Sequence, residues 1–422
     1  MTANAVFMGH QSAREKSSGA ISIYVFLLFL ISIWVPYTEM GYPAYVVSGR
    51  YAVFVLLCSY IIYRNFKFLL NLKRRTMITY CILFIVVFGA LSVVWSQETR
   101  YSFERAVAFS ITVFASMIMG RKYDTEKLFK SIAAAFIVYV LVSVALVFLA
   151  PSIALENSWE HFGKWRGLSG QKNVFGVVVA LTFVLLFMPR KYLPRPLSKS
   201  RIAYYGVFVV VAIAIIKTGS RSALVDVILF LMFFIPMSIH FGFSRFIILF
   251  MVIFIPIIFI VGREFVNFHG GMLVISSIEI DTSNRLLIWE YGFDVLRGRE
   301  LFGFGLGFWT PDRMADFTNL HGWVLPNFHN GYIATLMELG VPGLAALLLL
   351  VFSLLVYFAS NIRRLKKEKM SFMVGIVILF LGHNLYENNI MRSTDVALFL
   401  FLVICFHMEK KILEWRSEKS LQ

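Results

Sequence analysis

The segment His329-Asn330-Gly331-Tyr332 holds the residue with the clearest chemistry. A neutral imidazole can take a proton from an attacking hydroxyl near neutral pH, so His329 is the first candidate for a catalytic base, with Glu338 as its catalytic companion. His321 is a secondary candidate, and Asn330 belongs to the same His-Asn pair. The alternative for a single outward histidine is a hydrogen-bonded structural role. Three further polar segments suggest an anionic ligand: Trp165-Arg166 to Lys172-Asn173, Lys217-Thr218-Gly219-Ser220-Arg221-Ser222, and Asn284-Arg285 to Trp289. A guanidinium offers a phosphate two parallel charge-assisted hydrogen bonds and stays protonated, which makes Arg221, Arg285 and Arg166, with Lys172, candidates for binding a phosphate. Asn173 is a secondary candidate. Each arginine taken alone can instead snorkel to a lipid headgroup or pair with an acid. Arg221, in its tight turn, is the hardest to read that way, whereas Arg297, Arg299 and Arg313 stand among Asp294, Glu300 and Asp312 and read as solvated or ion-paired. Glu338 can equally satisfy a neighbouring arginine.

The elements that must position these residues are membrane spans. Of 422 residues, 59% are hydrophobic and only 15% charged, too little polar surface for a solvated exterior. This excludes soluble enzymes, secreted disulfide scaffolds and disordered tails. Twelve apolar runs read as transmembrane helices, near 20–36, 49–63, 79–95, 106–120, 131–150, 173–189, 202–217, 222–239, 246–262, 330–358, 371–387 and 393–408. The tenth is long enough to tilt or break at Gly340-Val341-Pro342-Gly343. The fold class expected is an all-α polytopic membrane protein, one integral domain over 1–422, with about twelve spans. Most of the 40 Lys and Arg fall in one alternate set of connecting segments, and most of the 24 acids fall in the other. The rule that cytoplasmic loops are basic therefore puts both termini in the cytoplasm, and it accounts for the net charge of +16 without nucleic acid. All four polar segments then lie outside, together with the one long loop, 263–328, between helices 9 and 10. Long loops in otherwise compact membrane proteins are usually functional.

Within that loop Leu286, Trp289, Phe293 and Leu296 recur at helical spacing, predicting an interfacial helix with Asp281 or Ser283 as its N-cap. It either docks the loop or holds Arg285 over a cavity. Cys58, Cys81 and Cys405 sit singly in apolar runs and read as packing residues. No phosphate loop, metalloprotease or serine-hydrolase motif occurs, and Glu279 with Asp281 is too sparse for a metal site.

In order and spacing, Arg166-Gly167…Lys172-Asn173-Val174-Phe175-Gly176, Thr218-Gly219-Ser220-Arg221, Asn284-Arg285…Trp289, Phe304-Gly305-Leu306-Gly307 and His329-Asn330-Gly331-Tyr332…Glu338-Leu339-Gly340 resemble the O-antigen ligase and Wzy-type polysaccharide polymerase superfamily, over roughly 160–345. The resemblance implies a glycosyltransferase of the bacterial inner membrane that needs no metal or cofactor. It would take glycan from an undecaprenyl-diphosphate carrier, a lipid-linked oligosaccharide, and pass it to a polysaccharide or lipid acceptor on the periplasmic side. Arg221 and Arg285 match the arginines assigned to the diphosphate, and His329 the histidine assigned to acceptor activation. Gly170-Gln171-Lys172-Asn173 looks like the exopolysaccharide polymerase branch, in which a chain-length regulator is a further partner beside membrane lipids. A ligase acting on lipid A-core is the alternative within the superfamily, and a transporter of an anionic or lipid-linked solute the alternative outside it.

Overall fold

The computed structural model describes residues 22–34, 44–70, 75–159, 161–239, 267–269, 272–275, 278–281, 285–322 and 327–419. In chain order the principal helices are α1 (Ser22–Ile33), α2 (Ala44–Arg64), α3 (Met77–Leu91), α4 (Thr99–Lys122), α5 (Thr125–Leu149), α6 (Lys172–Leu186), α7 (Arg201–Thr218) and α8 (Arg221–Ile239). After three short strands come α9 (Arg285–Leu296), α10 (Pro311–His321), α11 (Gly331–Lys367), α12 (Ser371–His383) and α13 (Val396–Lys419). The chain is a helical, multi-span membrane protein. Every predicted run except the ninth falls on one of these helices; the run at 246–262 lies outside the described residues.

Among the described residues six helices are long and apolar enough to cross a membrane, while α1, α6 and α12 are apolar but shorter. Some of the expected runs thus form helices shorter than 18 residues. The α6 helix, for example, closes at Phe187 after 15 residues. The other departure from an all-helical chain lies in the long loop. There β1 (Asn267–His269), β2 (Met272–Ile275) and β3 (Ile278–Asp281) form an antiparallel meander, with Phe268 opposite Leu273 and Leu273 opposite Ile280. Asp281 thus ends a strand, and Ser283 lies outside the described residues.

The chain gathers into two compact units, one of residues 1–66 and 121–228, the other of residues 67–120 and 229–422. In the first, α6 packs between α5 and α7. Gly176 lets α6 approach the turn before α8 closely, since a Cβ there would sit 2.8 Å from that of Ser220. In the second, α3 lies along α11, and α12 against α13 through stacked Phe380 and Phe401 rings 4.3 Å apart.

The break expected in α11 falls at Gly340, which adopts φ 63° and ψ −164°. Pro342 has no N–H to continue the ladder, and backbone freed within a membrane must find other partners. The long loop provides them. Phe304 and Gly305 donate their N–H groups to the carbonyls of Met337 and Glu338, both at 2.9 Å, and Val341 donates to Glu300 at 2.9 Å. The loop then continues through an aromatic core of Tyr291, Phe304, Phe308, Trp309, Phe317 and Phe328, against Ile333 and Met337 of α11.

Candidate functional site

In the second unit the site is built on the short turn before α11. Asn330 caps that helix, its Oδ1 accepting from the N–H groups of Tyr332 and Ile333 at 3.0 Å, while its amide donates to the carbonyl of Leu385 at 3.1 Å. Gly331 donates its N–H to the carbonyl of Asn384 at 2.8 Å, and a Cβ there would meet Asn384 Oδ1 at 2.4 Å. Asn384 in turn accepts from the N–H groups of Asn389 and Ile390. The His-Asn-Gly motif is thereby clamped to the segment joining α12 and α13. His329 pays the conformational cost, since at φ 47° it is left-handed without being glycine, held there by its N–H donating to Asn327 Oδ1 at 2.7 Å.

This clamp delivers Glu387 to the histidine. Its Oε2 lies 3.1 Å from His329 Nδ1, and its Oε1 lies 3.7 Å from Nη2 of Arg285, the first residue of α9. Arg285, Glu387 and His329 are each partly exposed, with side-chain accessibilities of 30%, 20% and 29%. Burial works to raise the Glu387 carboxyl. The hydrogen bond and charge of His329, with the charges of His383 and Arg285, outweigh it and hold the group below its ordinary range. A carboxylate on Nδ1 orients the imidazole and leaves Nε2 as the proton acceptor. At 3.7 Å the arginine is steered by the same carboxylate.

Sequence reasoning missed Glu387, placing it at the end of a span. The visible signal was one acid with Asn384, Asn388 and Asn389 between two apolar runs. The α9 helix begins and ends as expected, but its buried face is Ile288, Tyr291, Gly292 and Leu296 with Leu286, whereas Phe293 is exposed. The docking surface is rotated because Trp289 donates its indole N–H to the carbonyl of Phe328, at 2.9 Å, at the edge of the aromatic core. This bond also ties α9, and so Arg285, to the residue before His329.

Glu338 is buried, its Oε1 accepting from the N–H of Phe308 at 3.3 Å, so it touches the glycine loop rather than His329's partners. His321 ends α10 with its ring 4.5 Å from that of Phe317, part of the aromatic packing.

The first unit holds the remaining candidates. Arg221 is exposed at the first position of α8, just after Gly219, which closes α7 in a left-handed cap at φ 59°. Lys172 opens α6, its ammonium 3.4 Å from the carbonyl of Gly219 and its N–H donating to Glu156 Oε1 at 2.6 Å. The stem of Lys164, a cation the sequence reading passed over, lies against Gly219. Asn173 follows Lys172 on α6. Arg166 is held differently. It is buried, with Nε donating to the carbonyl of Ile153 at 3.0 Å, Nη2 to that of Ser152 at 3.3 Å and Nη1 3.9 Å from Glu156, so its donors staple its own loop rather than wait for a phosphate.

Residues 206–348 match the family model Wzy_C, described as O-Antigen ligase. The resemblance to the O-antigen ligase and Wzy-type superfamily holds there, in a segment that includes Arg221, Arg285, His321, His329, Asn330 and Glu338. It excludes Arg166, Lys172, Asn173 and Glu387. No curated protein matches the chain.

Proposed function

On the premise of that O-antigen ligase-type segment, we propose that the chain transfers glycan from an undecaprenyl-diphosphate carrier to an acceptor sugar hydroxyl at the outer face of the bacterial inner membrane, as a polymerase of surface polysaccharide repeat units. The observation carrying this reading is the Glu387 carboxylate, with His329 on one oxygen and Arg285 near the other. The acceptor oxygen attacks the anomeric carbon of the donor sugar, its proton passes to His329 Nε2, and the bond to the diphosphate breaks with its electron pair leaving on oxygen. Glu387 stabilises the imidazolium that forms, and Arg285 stabilises charge developing on the leaving diphosphate. A guanidinium can fill the place a metal ion takes in other transferases, so the reaction is proposed to be metal-independent. Glu338 acts here as a positioning group for the glycine loop. The cations around Gly219, Arg221 foremost, suit a phosphate and are tested separately. Polymerase is favoured over ligase by Gly170-Gln171-Lys172-Asn173.

The test uses purified full-length protein with lipid-linked donor. His329→Ala should stop turnover, a loss of roughly 10²–10⁴ in rate, with donor binding retained, while His321→Ala and added EDTA leave turnover unchanged. Full turnover by the His329 variant would put the base elsewhere, and inhibition by EDTA would end the metal-free mechanism. In a deletion strain, a single repeat unit on the core supports the polymerase, and free carrier-linked polymer supports the ligase.

A further inference from the structure

One face of α9 reaches both the arginine's carboxylate and the residue before the base. Arg285, Trp289 and Gly292 recur at i, i+4 and i+7, so they share one side of that helix. Arg285 stands 3.7 Å from Glu387, the carboxylate that also holds His329. One turn on, Trp289 donates its indole N–H to the carbonyl of Phe328 at 2.9 Å. At Gly292 the helix surface is bare, and a Cβ there would sit 2.8 Å from Cε1 of the Phe328 ring. Phe328 is thus met by α9 at its backbone and at its ring, and the ring also packs on Trp309 and Phe308, with centroids 4.8 and 5.0 Å away.

The next residue is His329. Its N–H donates to Oδ1 of buried Asn327 at 2.7 Å, across the same turn. A left-handed φ of 47° is disfavoured for a residue with a Cβ, and this bond offsets that cost in the conformation that brings Nδ1 to Glu387. Packing alone requires neither polar contact, because a phenyl ring at position 289 would cover the aromatic core as well. An N–H aimed at one carbonyl does something that packing does not. It fixes where the chain leaves the core, one residue before the imidazole.

We propose that Trp289 is a positioning residue for the transfer: through Phe328, and together with Asn327, it sets the place of the His329 imidazole relative to the Arg285 guanidinium. This rests on the reading of His329 as base and Arg285 as diphosphate ligand. Arg285 and Trp289 lie four residues apart on one helix, about 6 Å along its axis, so the leaving group and the attacking hydroxyl are held in register by a rigid element. Misplacing a reacting group by about 1 Å can cost about 10²-fold in rate. The indole N–H therefore acts on kcat and leaves donor affinity alone.

The test is steady-state kinetics of the purified full-length protein with lipid-linked donor. Trp289→Phe keeps a ring in the core and loses the N–H, so its kcat should fall about tenfold or more while KM for the donor stays within about twofold. Asn327→Ala should behave likewise, and Asn327→Asp, which keeps an acceptor for the His329 N–H, should recover most of the rate. Gly292→Ala retains every donor but crowds Phe328, and should also lower kcat. Should Trp289→Phe prove too unstable to purify, the Asn327 pair and Gly292→Ala decide the question by the same split. Wild-type kcat in Trp289→Phe or in Asn327→Ala would overturn the proposal. So would a raised KM at unchanged kcat, which would make the tryptophan part of the donor site, or a loss in Asn327→Ala that Asn327→Asp does not restore. His329→Ala separates this inference from the reading beneath it. Full turnover by that variant puts the base elsewhere, whereas an inactive His329→Ala beside a fully active Trp289→Phe keeps the base and removes only the positioning role.

Discussion

His329 stands in a left-handed backbone position with its Nδ1 on Glu387. Glu387→Gln keeps an acceptor for the ring but removes the charge that stabilises imidazolium. We expect kcat to fall by roughly 10²–10⁴ with KM little changed, measured on purified protein. The same carboxyl has a pH signature. Its folded value lies below its ordinary one, so its contribution to stability is present above the unfolded carboxylate range and disappears as pH falls through the folded value. The difference in Tm between wild type and Glu387→Gln should hold steady at neutral pH and vanish on acidification below the carboxylate range. A difference that grows on acidification would mean that the group is not held ionised. The two arginines invite a charge-preserving change. Arg221→Lys and Arg285→Lys should each cut polymer severely at normal protein level, because lysine keeps the charge but loses the two-point geometry. Wild-type polymer from either would return that residue to a lipid-headgroup role.

At the scale of elements, the turn before α11 and the segment between α12 and α13 act as one device. Gly331 has no room for a side chain, its Cβ position being 2.4 Å from Asn384 Oδ1. Gly331→Ala should push the Asn384 to Ile390 segment away, separate Glu387 from His329 and lower turnover about as far as Glu387→Gln, while α11 still forms. Unimpaired turnover would show that the clamp is not needed. The break in α11 follows the same logic of supplied partners. A helix interrupted at Gly340 is sustainable because the glycine loop takes over its free carbonyls. Gly340→Ala adds both a left-handed strain and a Cβ against the carbonyl of Leu301, and should lower protein level outright.

For the whole molecule the first question is which side each loop faces. Cys58, Cys81 and Cys405 are buried, so an impermeant thiol reagent should find little background. A cysteine introduced at exposed Asn319 should label from outside intact cells, and one at exposed Lys199 only after permeabilisation. The reverse pattern would overturn the topology and the outward site with it. By itself the sequence determined the membrane class, the helical runs, the His-Asn-Gly motif and the break at Gly340. Hydropathy, turn chemistry and Gly-Pro effects act over a few residues and can be read in one dimension. Glu387 was not legible, because its importance comes from a clamp between segments more than fifty residues apart in sequence. Nor was the division of the arginines. In sequence Arg166 reads as an anion ligand and Arg299 as solvated or ion-paired, yet Arg166 is buried on the carbonyls of its own loop and Arg299 rests on an aromatic ring beside a cavity. A guanidinium's role depends on which acceptors the tertiary structure brings within three or four ångströms, and spacing along the chain does not encode that.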